Sequence, residues 1–146
     1  MSSYDYEPSP TEWVRKQVEQ IVVTGTTDGV TVADRPIVLM TYTGAKTGKR
    51  RKTPVMRVEH DGSYAAIASK GGAPDNPAWF QALVDNPEIE VQDGRETGTY
   101  RARRVTGEEK AAWWARGVET YPPYDEYQAN TDRDIPVFVL EPVAAG

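Results

Sequence analysis

Cysteine is absent from all 146 residues, which excludes disulfides, thiolate catalysis and sulfur-ligated metals together. Histidine occurs once, at His60, so neither a histidine-rich metal site nor a Ser-His-Asp arrangement is visible, and no metal is expected. No apolar run approaches the roughly 20 residues that span a bilayer. The N-terminus also lacks the charged start and apolar stretch of a signal peptide. The expected location is therefore the cytoplasm, and membrane association is not indicated. An excess of positive charge is missing too. The formal net charge is -5, so the chain as a whole would repel a nucleic-acid backbone, and no nucleic-acid partner is expected. A chain this poor in nucleophilic and redox side chains must, as an enzyme, borrow its chemistry from a cofactor and supply orientation and electrostatics itself.

What remains is one domain's worth of chain, residues 1–146, with 38% hydrophobic and 27% charged residues. Residues 1–9 carry no periodic pattern and are expected to be disordered. Ser9-Pro10-Thr11-Glu12 reads as a capping box. Trp13, Val14, Val18, Ile21 and Val22 then share a stripe, which predicts a helix over 10–23 that Gly25 can stop. Thr24 to Arg35 reads as a loop, Ile37 to Tyr42 as a buried strand, and Gly44 to Gly48 as a turn. Alternation from Val55 to Asp61-Gly62 and a return over Ser63 to Ala68 complete a meander. Asp75-Asn76-Pro77 predicts the cap of a second helix. Glu88 to Gln92 and Gly98 to Val105, joined at Asp93-Gly94, predict a hairpin. Thr106-Gly107-Glu108-Glu109 reads as a second capping box, opening a helix with Trp113 and Trp114. Tyr121 to Asn130 reads as a short helix or coil, and Ile135 to Leu140 as the last strand. A mainly β (α+β) barrel with helices packed outside is the architecture this order implies.

Four segments could carry chemistry. Within Lys46 to Lys52, five of seven residues are basic in an otherwise acidic chain, and the neighbouring glycines free backbone N–H groups to approach an anion. A solvated hairpin tip is the alternative. A P-loop is excluded, because the glycine–lysine spacing is one residue short and Arg50 stands where Ser or Thr would hold magnesium. Ala68-Ser69-Lys70-Gly71-Gly72 brings a hydroxyl, a charge and open backbone to a strand end, where a plain turn would also serve. Asn76-Pro77-Ala78-Trp79-Phe80 is explained equally by capping and core packing. Tyr121, Tyr124 and Tyr127 share a helical face that either lines a pocket for a flat ligand or fills core.

Together these segments resemble the deazaflavin-dependent nitroreductase family of actinobacterial oxidoreductases, from about Pro36 to Pro142. The resemblance rests on Thr43-Gly44-Ala45-Lys46-Thr47-Gly48, Arg51-Lys52-Thr53-Pro54-Val55, the Ala68 and Asn76 segments, and Tyr121 to Gln128 with Thr131-Asp132-Arg133 and Ile135-Pro136. It implies a split β-barrel of the FMN-binding-like type that holds reduced coenzyme F420 without covalent attachment. Family members reduce quinones, activated enones and nitro-aromatic compounds, so a planar electrophilic small molecule is the implied partner, and the implied assembly is a monomer or homodimer. By position, Ala45, Lys46, Thr47 and Arg51 would surround the cofactor's phosphate and glutamate tail. Lys52, Thr53, Pro54, Val55 and Met56 would run beside its ring, and Ile67, Ala68, Ser69 and Lys70 would meet the ring and linker. Ala78, Trp79, Phe80, Gln81 and Ala82 would close the other side, with Tyr124 near the ring. Ser69, Tyr121, Tyr124 and Tyr127 match the substrate pocket and would be the catalytic set. Ala45, Met56 and Ala82 depart from residues found in part of the family (arginine, tyrosine and asparagine). An FMN-dependent barrel reductase and a non-catalytic deazaflavin carrier are the alternatives.

Overall fold

A computed structural model describes residues Tyr6, Pro8, Ser9 and 11–143. The expected disorder over 1–9 falls mostly outside these residues. Within them, Tyr6 forms an isolated parallel bridge with Arg50.

The apolar run at 37–42 becomes strand β2 (Arg35–Thr43), buried on both faces. Val38, Met40 and Tyr42 enter the main core with Ala66, Ala68, Phe138 and Leu140. Ile37 and Leu39 turn outward under helix α1 (Glu12–Thr24), whose stripe of Val14, Val18 and Ile21 covers them. Helix α1 is two residues shorter at its start than its sequence pattern predicts. Its N-cap is Thr11, which makes no side-chain cap bond, and Pro10 lies outside the described residues. The Thr24–Arg35 segment is not all loop: β1 (Thr31–Val32) pairs with the start of β2.

Strand β3 (Arg50–Met56) pairs with β2 from Thr43↔Arg50 to Ile37↔Met56. It starts five residues earlier than the alternation suggests, so Arg50, Arg51 and Lys52 belong to a strand rather than to the turn. After β3 the chain breaks for two residues. Arg57 N–H still bonds Pro36 O (3.0 Å), whereas Val58 O already accepts from Ala65 N–H (2.8 Å). Strand β4 (Glu59–His60) then pairs with β5 (Ser63–Ile67). The sheet runs β1-β2-β6-β7-β8-β5-β4, with β3 on the other edge of β2; β6 is Glu88–Asp93, β7 Glu96–Val105 and β8 Val137–Pro142. The break at Arg57–Val58 thus carries the chain from one edge of the curled sheet to the other, which makes it a split β-barrel. At that crossing Arg57 Nε bonds both oxygens of Asp93 (3.0 Å each), and Tyr64 Oη donates to Asp93 Oδ2 (2.6 Å).

Helix α2 (Trp79–Asp85) packs on the main core. Asn76 does not cap it: the N-cap is Ala78, and Asn76 Oδ1 instead accepts from Arg133. Helices α3 (Gly107–Thr120) and α4 (Pro123–Ala129) bury Trp113 and Tyr124 against the outer face of β5 and β8. The second capping box is also not formed, because Glu109 is drawn into a two-pronged pair with Arg103 (2.9 and 2.7 Å). Gly117 sits where α3 crosses β5, and a Cβ there would push on the Ile67 Cδ1 methyl. Among the described residues, no helix is long and apolar enough to cross a membrane, and no His, Asp or Glu cluster could hold a metal.

Candidate functional site

A cavity of about 640 Å³ opens between the start of α1, the second half of β3, the segment leaving β5, and α4. Twelve of the residues singled out from the sequence line it: Thr53, Pro54, Val55, Met56, Ile67, Ser69, Lys70, Ala78, Trp79, Tyr121, Tyr124 and Tyr127. They come from four separate stretches of chain, which the barrel closure brings together.

Ala68 and Ala82 are sealed in the core at 0% and 1% exposure, so neither offers a side chain to a ligand in the cavity. Phe80 packs on Phe138 with Arg104 over its ring, and the Gln81 amide turns to Asp85 (2.8 Å). Arg51 and Lys52 lie on β3, and Ala45, Lys46 and Thr47 in the turn before it, all outside the cavity lining. Sequence reasoning missed Ser9, Thr11, Trp13, Val14, Val32 and Pro77, which close the opposite wall. The visible signal was Trp13 on α1, but its stripe reads as packing until the helix is placed.

The cationic segment divides in two. Register puts Arg51 opposite Tyr42 and Lys52 opposite Thr41, so the two side chains leave opposite faces of the sheet. Lys52 Nζ donates to Thr41 Oγ1 (2.9 Å), and burial lowers its pKa. Arg50 pairs with Glu90 (3.2 Å). In the turn itself, Gly44 N–H bonds Lys49 O and Gly48 N–H bonds Gly44 O. Lys46 and Lys49 are exposed and pair with no carboxylate among the described residues, and the N–H groups of Ala45 and Lys46 bond none of them.

The tyrosines are arranged edge to face: Tyr121 and Tyr124 rings lie 5.1 Å apart, and Tyr124 and Tyr127 rings 6.3 Å apart. Tyr121 and Tyr127 share a hydroxyl–hydroxyl hydrogen bond of 2.8 Å. That bond, with burial, raises the Tyr127 pKa to about 12. Arg35 sits 5.3 Å over the Tyr121 ring, tied through Nε to Thr120 O (3.0 Å). Tyr124 is only 5% exposed, yet its hydroxyl bonds no described residue. Burial drives its pKa up, and the neighbouring tyrosines add to the shift. With their pKa values raised, Tyr124 and Tyr127 are protonated at neutral pH and can donate.

Comparison with known proteins bears on this geometry. The family model for F420H(2)-dependent quinone reductases matches residues 13–142. A F420H(2)-dependent quinone reductase of Mycobacterium tuberculosis is 33% identical over 72% of this chain and 72% of its own. A solved chain described as a domain-swapped dimer is 57% identical over 91% of this chain and all of that one, with a TM-score of 0.72. A F420-H2 dependent reductase, FDR-A, is 55% identical over 77% of this chain and all of its own, with a TM-score of 0.70. A Clostridium acetobutylicum protein of the pyridoxine-phosphate oxidase family, 16% identical over 86% and 82% of the two chains, shares the fold alone at a TM-score of 0.51. The barrel, its cavity and these likenesses define an oxidoreductase built on a split β-barrel. The chain belongs to the F420H(2)-dependent quinone reductase family, and its cofactor is coenzyme F420.

The residues present fit that cofactor. A planar ring system needs a slot with flat apolar walls, which Pro54, Val55, Met56 and Trp79 provide. An anionic tail needs cations and open N–H groups, which Lys46, Lys49 and the backbone at Ala45 offer at the end of the same strand.

Proposed function

We propose that this chain reduces a quinone, or a comparable flat electron-poor acceptor such as an activated enone or nitro-aromatic, with a hydride supplied by reduced F420. The observation that carries this reading is the Tyr124 hydroxyl: the residue is 5% exposed, the hydroxyl bonds no described residue, and it borders a cavity whose other faces are largely apolar. A hydroxyl held in that position is ready to bond a ligand oxygen. Lys46, Thr47, Arg51 and the Ala45 N–H hold the tail. Thr53 to Met56, with Ala78 and Trp79, bound the ring slot and exclude water. Ser69, Tyr124 and the Tyr121–Tyr127 pair hold the acceptor's oxygen, where donors already in place stabilise the negative charge that develops. The dimeric state of the chain 57% identical to this one supports a homodimer here, which light scattering reads directly.

The test is a titration of the purified protein with oxidised and reduced F420, followed by turnover against a quinone, an enone and a nitro-aromatic. Micromolar binding is expected. Lys46→Ala with Arg51→Ala should weaken it tenfold or more, about 1.4 kcal/mol per decade. The tenfold loss should shrink as salt rises, as for exposed charges. Protein made in a host without deazaflavin should be colourless; a yellow preparation would favour a flavin instead. Binding unchanged in the double variant would remove the cationic segment from the site.

A further inference from the structure

The sequence motif Thr131-Asp132-Arg133 carries no role in the site as described so far, yet Arg133 is the most heavily bonded side chain bordering it. Its five guanidinium N–H groups meet four acceptors on one loop. Nη1 donates to Ala68 O (2.9 Å) and Asn76 Oδ1 (2.7 Å). Nη2 donates to Ser69 O (2.8 Å) and Ala73 O (3.0 Å), and Nε donates to Ala73 O as well (3.1 Å). The planar fork is what makes this achievable; a lysine has only three donors on one nitrogen. The arginine is itself held by α4. Gln128 Nε2 donates to Arg133 O (2.7 Å), and Gln128 Oε1 accepts from Ile135 N–H (2.9 Å).

The clamped loop is the one that brings Ser69 and Lys70 to the cavity. Its backbone is unusual: Lys70 takes φ +46, and at Gly72 (φ +82) a Cβ would stand only 3.0 Å from Tyr127 O. A left-handed conformation at a lysine persists only where its surroundings dictate it. The orientation has a chemical consequence. The peptide joining Ser69 to Lys70 is trans, so a Ser69 carbonyl turned onto Arg133 turns the Lys70 N–H the opposite way. That N–H makes no hydrogen bond to any described residue, and neither does the Ser69 hydroxyl.

We infer that Arg133 is a positioning residue: its guanidinium locks residues 68–76 so that the Ser69 hydroxyl and the Lys70 N–H are presented together as donors to the ligand in the cavity. The inference rests on the proposed reductase reading for its catalytic consequence but not for its structural part. With Ser69 a substrate-oxygen donor, a loosened loop lowers kcat, because the donors must then be ordered as charge develops.

Two readouts test it. Amide hydrogen exchange of the cofactor-free protein should speed tenfold or more over residues 69–73 in Arg133→Lys, with β6 and β7 unchanged. Asn76→Ala, which keeps the guanidinium and removes one acceptor, should shift the same amides by a smaller factor. Lys110→Met, which removes the ion pair to Asp134, the residue after Arg133, should leave them at the wild-type rate. In turnover, Ser69→Ala should lower kcat tenfold or more in the wild type, but less than threefold in the Arg133→Lys background, since the hydroxyl is no longer in place. Unchanged exchange at 69–73, or equal Ser69→Ala losses in both backgrounds, would overturn the assignment. A wild type that binds F420 but turns over no acceptor would instead sink the proposed function, leaving exchange to decide Arg133.

Discussion

Replacing Tyr124 with phenylalanine should weaken binding while leaving stability nearly unchanged. The side chain is 5% exposed, and its ring packs between Tyr121, Tyr127 and Trp114. Phenylalanine keeps those contacts and removes one hydroxyl that bonds no described residue. The hydroxyl opens into a cavity that admits water, and it is not one of the fully buried, unpartnered polar atoms among the described residues. Water can therefore bond it in the cofactor-free protein, and removing it should change stability by no more than about 0.5 kcal/mol, a Tm shift of roughly 1–2 °C for a chain of this size. Binding should worsen in the same variant, because one hydrogen bond worth about 0.5–1.5 kcal/mol is lost, a factor of roughly 2–12 in Kd or in kcat/KM. Differential scanning calorimetry of the apo protein and a fluorescence titration with F420, followed by steady-state turnover, give both numbers. A fall in apo Tm would show that the hydroxyl has a structural partner. A variant that binds and turns over as well as the wild type would take Tyr124 out of the site. Either result refutes the reasoning.

Two further outcomes follow from the same packing. Gly117→Ala places a methyl against Ile67 Cδ1 and within 3.6 Å of the Tyr124 ring. Ile67 can swing toward the cavity and alanine gains about 0.5–1 kcal/mol over glycine inside a helix, so stability by urea denaturation should change by less than about 1 kcal/mol while the variant binds ligand more weakly. The Tyr127 hydroxyl, with its folded pKa raised to about 12 by the Tyr121 hydrogen bond and burial, should titrate late in an ultraviolet tyrosinate assay. Its proton is held more tightly in the folded state, so that contribution to stability is complete below the ordinary tyrosine pKa of about 10 and is lost as pH rises through 12. A Tyr121→Phe variant, lacking the partner hydroxyl, should bring that titration back toward the ordinary value.

Much of the architecture was legible in residue order, for local reasons. The continuous apolar run at 37–42 could only be a doubly covered strand, and Asp93-Gly94 could only be a tight connection. The aromatic motif at 121–127 repeats every three residues, but only Tyr124 and Tyr127 lie on the short helix α4, with Tyr121 capping the end of α3. Charge in a sequence window was less informative than it looked. Alternation along β3 sends Arg51 and Lys52 to opposite faces, and Glu90, forty residues after Arg50, neutralises it. Two caps read from the sequence failed because tertiary partners claimed their side chains: Glu109 of the second capping box pairs with Arg103, and Asn76 accepts from Arg133. In the first box, Glu12 pairs with Lys16 one turn on.

By itself, then, the amino-acid order determined which segments become strands, where the cations concentrate and that no cysteine or histidine chemistry is available, since these follow from periodicity and composition. Which side chains share the cavity was decided only on folding. The two-residue break at Arg57–Val58 returns the chain to the far edge of its own sheet, setting Thr53–Met56 beside Ser69 and the tyrosines. Start-of-helix residues such as Trp13 join them because α1 lies across β2. Contacts between residues sixty positions apart, such as Arg133 with Ala73, leave no periodic trace along the chain, because their geometry exists only once the barrel has closed.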